Sequence, residues 1–383
     1  MSNKAILCLL NRNPHDHILF KLKLAELEKL ATAANFNVVG QLIQTRIKPT
    51  SKLLMGSGKI GELEDIVNAE KLDFVVFYNV LSSKQRFNLT RKLGCEVIDR
   101  YDLTLKIFDM AANDRLSKLQ IESAVLRKIL PYFKLEASAR FSREHPFFRS
   151  MGEYAFHSKI RGLTRRMSKI KREINKLLSE KSIRIEKRRK LNIPTVCIAG
   201  FYNAGKTTLF NALTGENKPV SDQPFTTLSS KYQKSLDGEP FLFIDTIGFV
   251  FDLDPELIKS FELNLLDMKS ADTVLFLVGV DETPEIILLK LKWGINLLRE
   301  LGIDSKRILL TLNKQDCLTE NEERQLVEYL SQFLERFDYV FISAKNNKLN
   351  DFLMVLQKKM KSLDQGELEG RETEYFLKAT GIK

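Results

Sequence analysis

An apolar run, TVCIAG (195–200), stops at a glycine and gives way to FYNAGKTT before a helical pattern begins at 206. Gly200, Ala204 and Gly205 forgo side-chain packing where a buried strand ends, and Lys206 brings a charge there. A phosphate chain compensates both losses. Residues 200–207 match G-x-x-x-x-G-K-[ST], with a strand before and a helix after, as a phosphate loop requires. Small residues let backbone N–H groups approach the phosphates, and the helix N-terminus adds positive potential. Gly200, Tyr202, Asn203, Ala204, Gly205, Lys206, Thr207 and Thr208 are the candidate phosphate contacts. Lys206 is expected to reach the β- and γ-phosphates, and the Thr207 hydroxyl to bind Mg²⁺.

The rest of the chain agrees with an α/β architecture. After Pro194, the runs IPTVCIAG, PFLFIDT, DTVLFLVGVD, KRILLTLNK and DYVFISAK are apolar almost throughout. Strands buried on both faces of a parallel sheet read this way. Helices are expected at 206–214, 255–270, 284–301 and 320–336. The first hundred residues alternate in the same manner, with strands at 5–10, 37–44, 73–79 and 95–99, which predicts a small parallel sheet. Residues 103–131 read as one long helix ended by Pro131, followed by an irregular patch, KLEASARFSREHPFFRSMGEYAF. The expected division is 1–102 (small α/β domain), 103–192 (two-helix arm), 193–362 (phosphate-loop domain with a mostly parallel sheet) and 363–383 (tail).

The arm is where the charge collects. The chain has a formal net charge of +11, and residues 157–190 are dense in Lys and Arg. Leu163, Met167, Ile170, Ile174, Leu177 and Leu178 fall three or four apart, so one stripe can pack on the 103–131 helix. Arg161, Arg165, Arg166, Lys169, Lys171 and Arg172 lie on the other face, a surface for RNA phosphates or a solvated helix face. The four cysteines lack paired spacing, which argues against a disulfide framework and for a reducing compartment. No run nears the roughly 20 apolar residues of a membrane span, so a soluble, cytoplasmic protein is expected; a monomer is expected as well.

Two further motifs bear on the base, and two more segments bear on the metal and the γ-phosphate. LNKQD (312–316) resembles the N-K-x-D guanine signature of GTPases. The Asp316 carboxylate can accept from guanine N1–H and its exocyclic amino group, donors that adenine lacks. Asn313 and Lys314 would frame the base. ISAKN (342–346) resembles the last guanine-contacting element, with Ser343, Ala344 and Lys345, the Ala344 N–H meeting O6. DTIG (245–248) resembles the D-x-x-G element: Asp245 would hold Mg²⁺ and the Gly248 N–H would meet the γ-phosphate. In SDQPFTTLSS (221–230), Thr227 is the candidate metal-sensing threonine, with Thr226 the fallback. Lys206, Thr227 and Gly248 are the candidate catalytic groups and Thr207, Thr227 and Asp245 the candidate Mg²⁺ ligands. Phe249 stands where many GTPases carry a water-orienting glutamine, so slow intrinsic hydrolysis and stimulation by a partner are expected. Asn203 is a candidate K⁺ ligand, or a cap of the loop.

With these residues in view, the chain resembles the HflX family of GTPases along nearly its whole length. VVGQLIQTRIKPTSKLLMGSGKIGELEDIV, VIDRYDLTLKIFDMAANDRLSKLQIESAVLRKILP and DTIGFVFDLDPELIKSFELNLLDMKSADTVLFLVGVD carry the resemblance. It implies GTP-dependent binding to the large ribosomal subunit and its rRNA, subunit dissociation, and hydrolysis stimulated by the ribosome. Two features depart from the family: only Gly152 and Glu153 remain of its glycine-rich G-P-G-E stretch, for which Arg140, Arg143, Phe147 and Phe148 can substitute, and Phe251 replaces a common arginine. MGSGK (55–59) looks like a second phosphate loop, but Ile60 supplies no hydroxyl, so a turn into a helix is expected. A switch whose arm grips a protein, and an ATPase, are the competing readings.

Overall fold

The computed structural model describes residues 3–15, 17–112, 114–141, 151–216, 231–236, 241–246, 248–251, 257, 262–347, 349 and 351–363. Strands β1 (Lys4–Asn11), β2 (Asn37–Thr45), β3 (Phe74–Phe77) and β4 (Glu96–Asp99) form one sheet in the order β2-β1-β3-β4, every pair parallel. Parallel neighbours need long crossovers, supplied by α1 (His17–Ala33), α2 (Ser57–Glu70) and α3 (Ser83–Leu93). Successive residues of a strand face opposite sides, and Ala5 through Leu10 are all buried, so β1 is covered on both faces. Ile6, Cys8 and Leu10 pack with Ile60, Leu63 and Val67 of α2 and Leu89 and Leu93 of α3.

The MGSGK segment is a helix entry. Met55 is fully buried, the Gly56 N–H donates to Gln44 Oε1 at 2.9 Å, and α2 starts at Ser57. Lys59 Nζ lies 2.7 Å from Glu62 Oε2 on its own helix.

The expected 103–131 helix is two helices, α4 (Arg100–Ala111) and α5 (Arg115–Phe141). Asp114 makes the break: its Oδ1 accepts from Ser117 N–H at 2.9 Å and its Oδ2 from Ser117 Oγ at 2.6 Å, an N-terminal cap for α5. Pro131 does not end the helix but lies inside α5. Proline removes the bond to the carbonyl four residues back; here both Arg127 and Pro131 face solvent, where water can satisfy that group. The irregular patch shrinks accordingly, since α5 runs to Phe141 and α6 (Met151–Lys190) begins ten residues later. Arg143, Phe147 and Phe148 lie outside the described residues, as do the side chains of Arg140 and Glu153.

On α6, Ile170 is 1% exposed against Leu119 and Leu126 of α5, with Leu163, Met167, Ile174 and Leu177 beside it. Ion pairs of Arg166 with Glu122 (2.6 Å) and of Arg115 with Glu173 flank this seam. Arg166, expected on the open basic face, is thus engaged by α5; Arg161, Arg165, Lys169, Lys171 and Arg172 are exposed.

The chain divides into two compact units, with the division falling at Lys181/Ser182 inside α6. The second unit holds β5 (Thr195–Gly200), α7 (Lys206–Thr214), β6 (Lys231–Lys234), β7 (Leu242–Asp245), α8 (Glu262–Ser270), β8 (Thr273–Gly279), α9 (Pro284–Glu300), β9 (Ile308–Asn313), α10 (Glu320–Leu334), β10 (Asp338–Ile342) and α11 (351–363). The sheet order is β10-β9-β8-β5-β7-β6, parallel except for β6. The hydrophobic pattern did not predict β6, because its four residues, KYQK, are all exposed. Strand order reverses at β5, and a crevice at the carboxyl ends of the strands beside such a reversal is where open α/β sheets bind ligands. Among the described residues, no helix is long and apolar enough to cross a membrane. Burial drives the Cys8 and Cys197 thiols far above the ordinary range.

Candidate nucleotide site

In the second unit, every described segment singled out by its motif lies at the carboxyl end of a parallel strand. The loop after β5 is built from unusual backbone: Gly200 at φ 145°, Asn203 at 58°, Gly205 at 87°. Alternation of this kind turns successive N–H groups into an anion-binding concavity. At Gly200 a Cβ would lie 2.2 Å from the Leu277 carbonyl oxygen of β8, and at Gly205 one would lie 2.2 Å from Asn313 Nδ2. Both sites therefore need glycine for closeness as well as for conformation.

Lys206 opens α7. It is 9% exposed, and its Nζ donates to the Phe201 carbonyl at 2.7 Å, across its own loop. Burial lowers its pKa to about 8, against the pull of Asp245. Asp245, at the end of β7, is fully buried. Gly248 comes so close that a Cβ there would be 2.9 Å from Lys206 Nζ. Thr207 and Thr208 are half-buried on the first turn of α7. Thr226 and Thr227 lie outside the described residues.

The β9 and β10 ends join this loop. Asn313 Nδ2 donates to the Ala204 carbonyl at 2.8 Å, and its Oδ1 accepts from the Ala344 N–H at 3.1 Å. One carboxamide thus bridges the phosphate loop and the 342–346 run. The Ala344 N–H, expected for a base oxygen, is engaged by Asn313. Ser343 Oγ donates to Asp316 Oδ1 at 2.5 Å and accepts from the Asn346 N–H at 3.3 Å, fixing the carboxylate. Lys314, at φ 73°, pairs with Asp281 at 2.7 Å. Lys345 is exposed. Asp281 escaped the sequence reading; its place straight after the β8 run is the only signal it offered.

Phe249 is 4% exposed. Its N–H donates to the Gly200 carbonyl at 2.8 Å and its carbonyl accepts from the Tyr202 N–H at 2.9 Å, which zips the chain after D-x-x-G onto the loop. Its ring packs on Phe276 (centroids 6.4 Å apart), and Trp293 of α9 touches both Phe201 (5.6 Å) and Phe251 (5.8 Å). An aromatic cluster, invisible to motif reading, thus seats this segment.

Comparison with known proteins adds identity to geometry. Residues 21–109 match the family model described as GTP-binding GTPase N-terminal, and residues 195–314 match the one described as 50S ribosome-binding GTPase. A GTPase HflX from Thermofilum pendens is 40% identical over 305 residues, 79% of this chain and 72% of that protein. One from Hyperthermus butylicus is 35% identical, covering 80% of this chain and 81% of that protein. A solved structure described as SsGBP in complex with GDP aligns over 94% of this chain and 98% of that one, at 26% identity and a TM-score of 0.49. The phosphate loop, the identity over most of the chain and both matching models lead to one assignment: this chain belongs to the HflX family of GTPases.

Proposed function

We propose that the crevice at the carboxyl ends of β5, β7, β8, β9 and β10 binds and hydrolyses Mg²⁺-GTP, and that the GTP-bound chain engages the large ribosomal subunit. The observation that supports the site most is the Asn313 bridge, in which one carboxamide joins the 200–207 loop to the 342–346 run. In this assignment the loop N–H groups from 200 to 208 wrap the phosphates, and Lys206 leaves the Phe201 carbonyl for the β- and γ-oxygens. Asp316, held by Ser343, reads guanine N1–H and its amino group; Lys314, steadied by Asp281, covers the base. Gly248 donates its N–H toward the γ-phosphate, and Thr227 senses the metal.

The residues present fit Mg²⁺. Thr207 and the buried Asp245 offer hard oxygen donors beside a cradle that a Cβ at Gly205 or Gly248 would invade. Mg²⁺ would neutralise charge on the transferring phosphoryl group. Among the described residues no cluster of three or more His, Cys, Asp or Glu could hold a metal by itself, so these ligands depend on the nucleotide to complete the shell. Asn203, exposed on the loop, is assigned to K⁺; equal turnover in sodium and potassium would remove that assignment.

Phe249 has no hydrogen-bonding side-chain group and is buried among aromatic rings. It cannot orient water, so intrinsic hydrolysis is slow and a partner completes the site. The exposed cations of α6 suit rRNA phosphates, and the bound chain would dissociate or remodel ribosomes. The functional division we propose is 1–102, 103–192 and 193–362, in a cytoplasmic protein. GTP turnover measured with and without purified large subunits tests the reading, alongside co-sedimentation in a GTP analogue and in GDP. Stimulated turnover and analogue-dependent co-sedimentation support it; turnover indifferent to subunits ends it.

A further inference from the structure

The last turn of α6 carries Lys187, Arg188, Arg189 and Lys190, and two of these reach α8. Arg188 NH2 lies 3.3 Å from Oδ1 of Asp267, a carboxylate on α8 with no exposed surface. The same guanidinium lies over the Tyr232 ring of β6, 4.6 Å from its centroid. Burial, then the nearby Asp267 carboxylate, push the pKa of the Tyr232 hydroxyl well above the ordinary tyrosine range. Arg189 NH2 reaches the Ser270 carbonyl at 3.5 Å, while Arg307 holds the carbonyls of Lys269 and Ala271. The carboxyl end of α8 is thus gripped by three arginines, two of them from the helix that carries the basic arm.

The two elements gripped are not arbitrary. β6 follows directly on the 221–230 run that holds Thr227, and α8 is the first described helix after Gly248. A buried carboxylate that loses its cation is strongly destabilised, so within the second unit Arg188 ties α8 and β6 to the last turn of α6.

We propose that Arg188 is a positioning residue for GTP hydrolysis. Acting through Asp267 and Tyr232, it sets the elements that adjoin both nucleotide-sensing segments and makes turnover responsive to what the α6 arm binds. The same link runs backward, because coupling free energy is reciprocal: the nucleotide biases the arm. The inference rests on the GTPase and large-subunit reading above.

The test uses the full-length chain without ribosomes first. Arg188→Ala is expected to lower kcat about fivefold, a typical coupling size, while GDP affinity stays within about twofold. Tyr232→Phe, which keeps the ring and removes the hydroxyl, shifts kcat the same way but less. Arg188→Ala combined with Asp267→Asn falls no further than the worse single variant, because the pair acts as one unit. If Arg188→Ala does not fold, Arg188→Lys, which keeps the charge without the planar stack, carries the same comparison. Wild-type kcat in a folded Arg188 variant overturns the proposal, as does an equal loss of kcat and GDP affinity. Large subunits are then added: wild-type stimulation with a reduced ratio in the variant supports the link to the arm, and an undiminished ratio overturns it. Wild-type turnover that ignores large subunits defeats the large-subunit reading while the basal kcat comparison still judges Arg188.

Discussion

At the scale of single residues, the site depends on side chains that hold other side chains. Asp316 would accept two donors from guanine, and removing its charge should weaken GDP binding about 10³-fold. Ser343 holds that carboxylate at 2.5 Å, so Ser343→Ala should cost about tenfold in GDP affinity. Fluorescent-GDP titration of both variants checks the pair, and an unchanged Asp316→Asn would favour the ATPase reading. Lys206 supplies a pH prediction. Its pKa is lowered to about 8 chiefly by burial, and phosphate favours its charged form. As pH rises through about 8 the free protein loses that proton, so binding must restore it and GDP affinity falls. Calorimetry at pH 7 and 9, in buffers of different ionisation enthalpy, should show proton uptake growing with pH; uptake that stays flat removes Lys206 from this role.

Elements are positioned by close contacts that tolerate little change. At Gly294 on α9, a Cβ would lie 2.0 Å from the Phe276 ring of β8, within the aromatic cluster that also holds Phe201 and Phe249. Gly294→Ala should therefore destabilise the second unit by about 1–3 kcal/mol despite alanine's better helix propensity. Chemical denaturation measures this, and a gain in stability would show that α9 shifts freely. On the α5–α6 seam, Ile170 is 1% exposed, and Ile170→Ala should cost about 2–4 kcal/mol, read by denaturation of the full-length chain. The sequence reading placed this seam correctly because period-3.6 apolar spacing survives in a solvated helix. It misjudged the segment before it, because a capping aspartate at 114 and an exposed Pro131 are decided by local hydrogen bonding and solvent access, which hydrophobic pattern does not record.

For the whole molecule, charge leads to the prediction. The net charge of +11 includes exposed Lys169, Lys171 and Arg172 on α6. If these meet rRNA phosphates, co-sedimentation with large subunits should weaken steeply with salt. Lys169→Glu with Arg172→Glu should lower the slope of log K against log salt by about 2. An unchanged slope would place the contact elsewhere on the chain.

Much of the candidate nucleotide site was legible in the sequence, because Gly200, Lys206, Asp245, Asn313 and Ser343 sit in short motifs at strand ends; Asp281 was not, because it belongs to no such motif. Sequence alone therefore carried the phosphate-loop motif, the assignment of Asp316 as the proposed guanine reader, and the mostly parallel character of the buried strands. Tertiary structure alone decided the pairings between distant residues. Asn313 closes on Ala204 across 109 positions, and Arg188 meets Asp267 across 79. It also decided that β6 joins the sheet antiparallel, that Phe249 enters an aromatic cluster, and that Arg166 is drawn to Glu122. A motif is recorded along the chain, whereas a contact depends on which surfaces the packed chain brings within a few ångströms of each other.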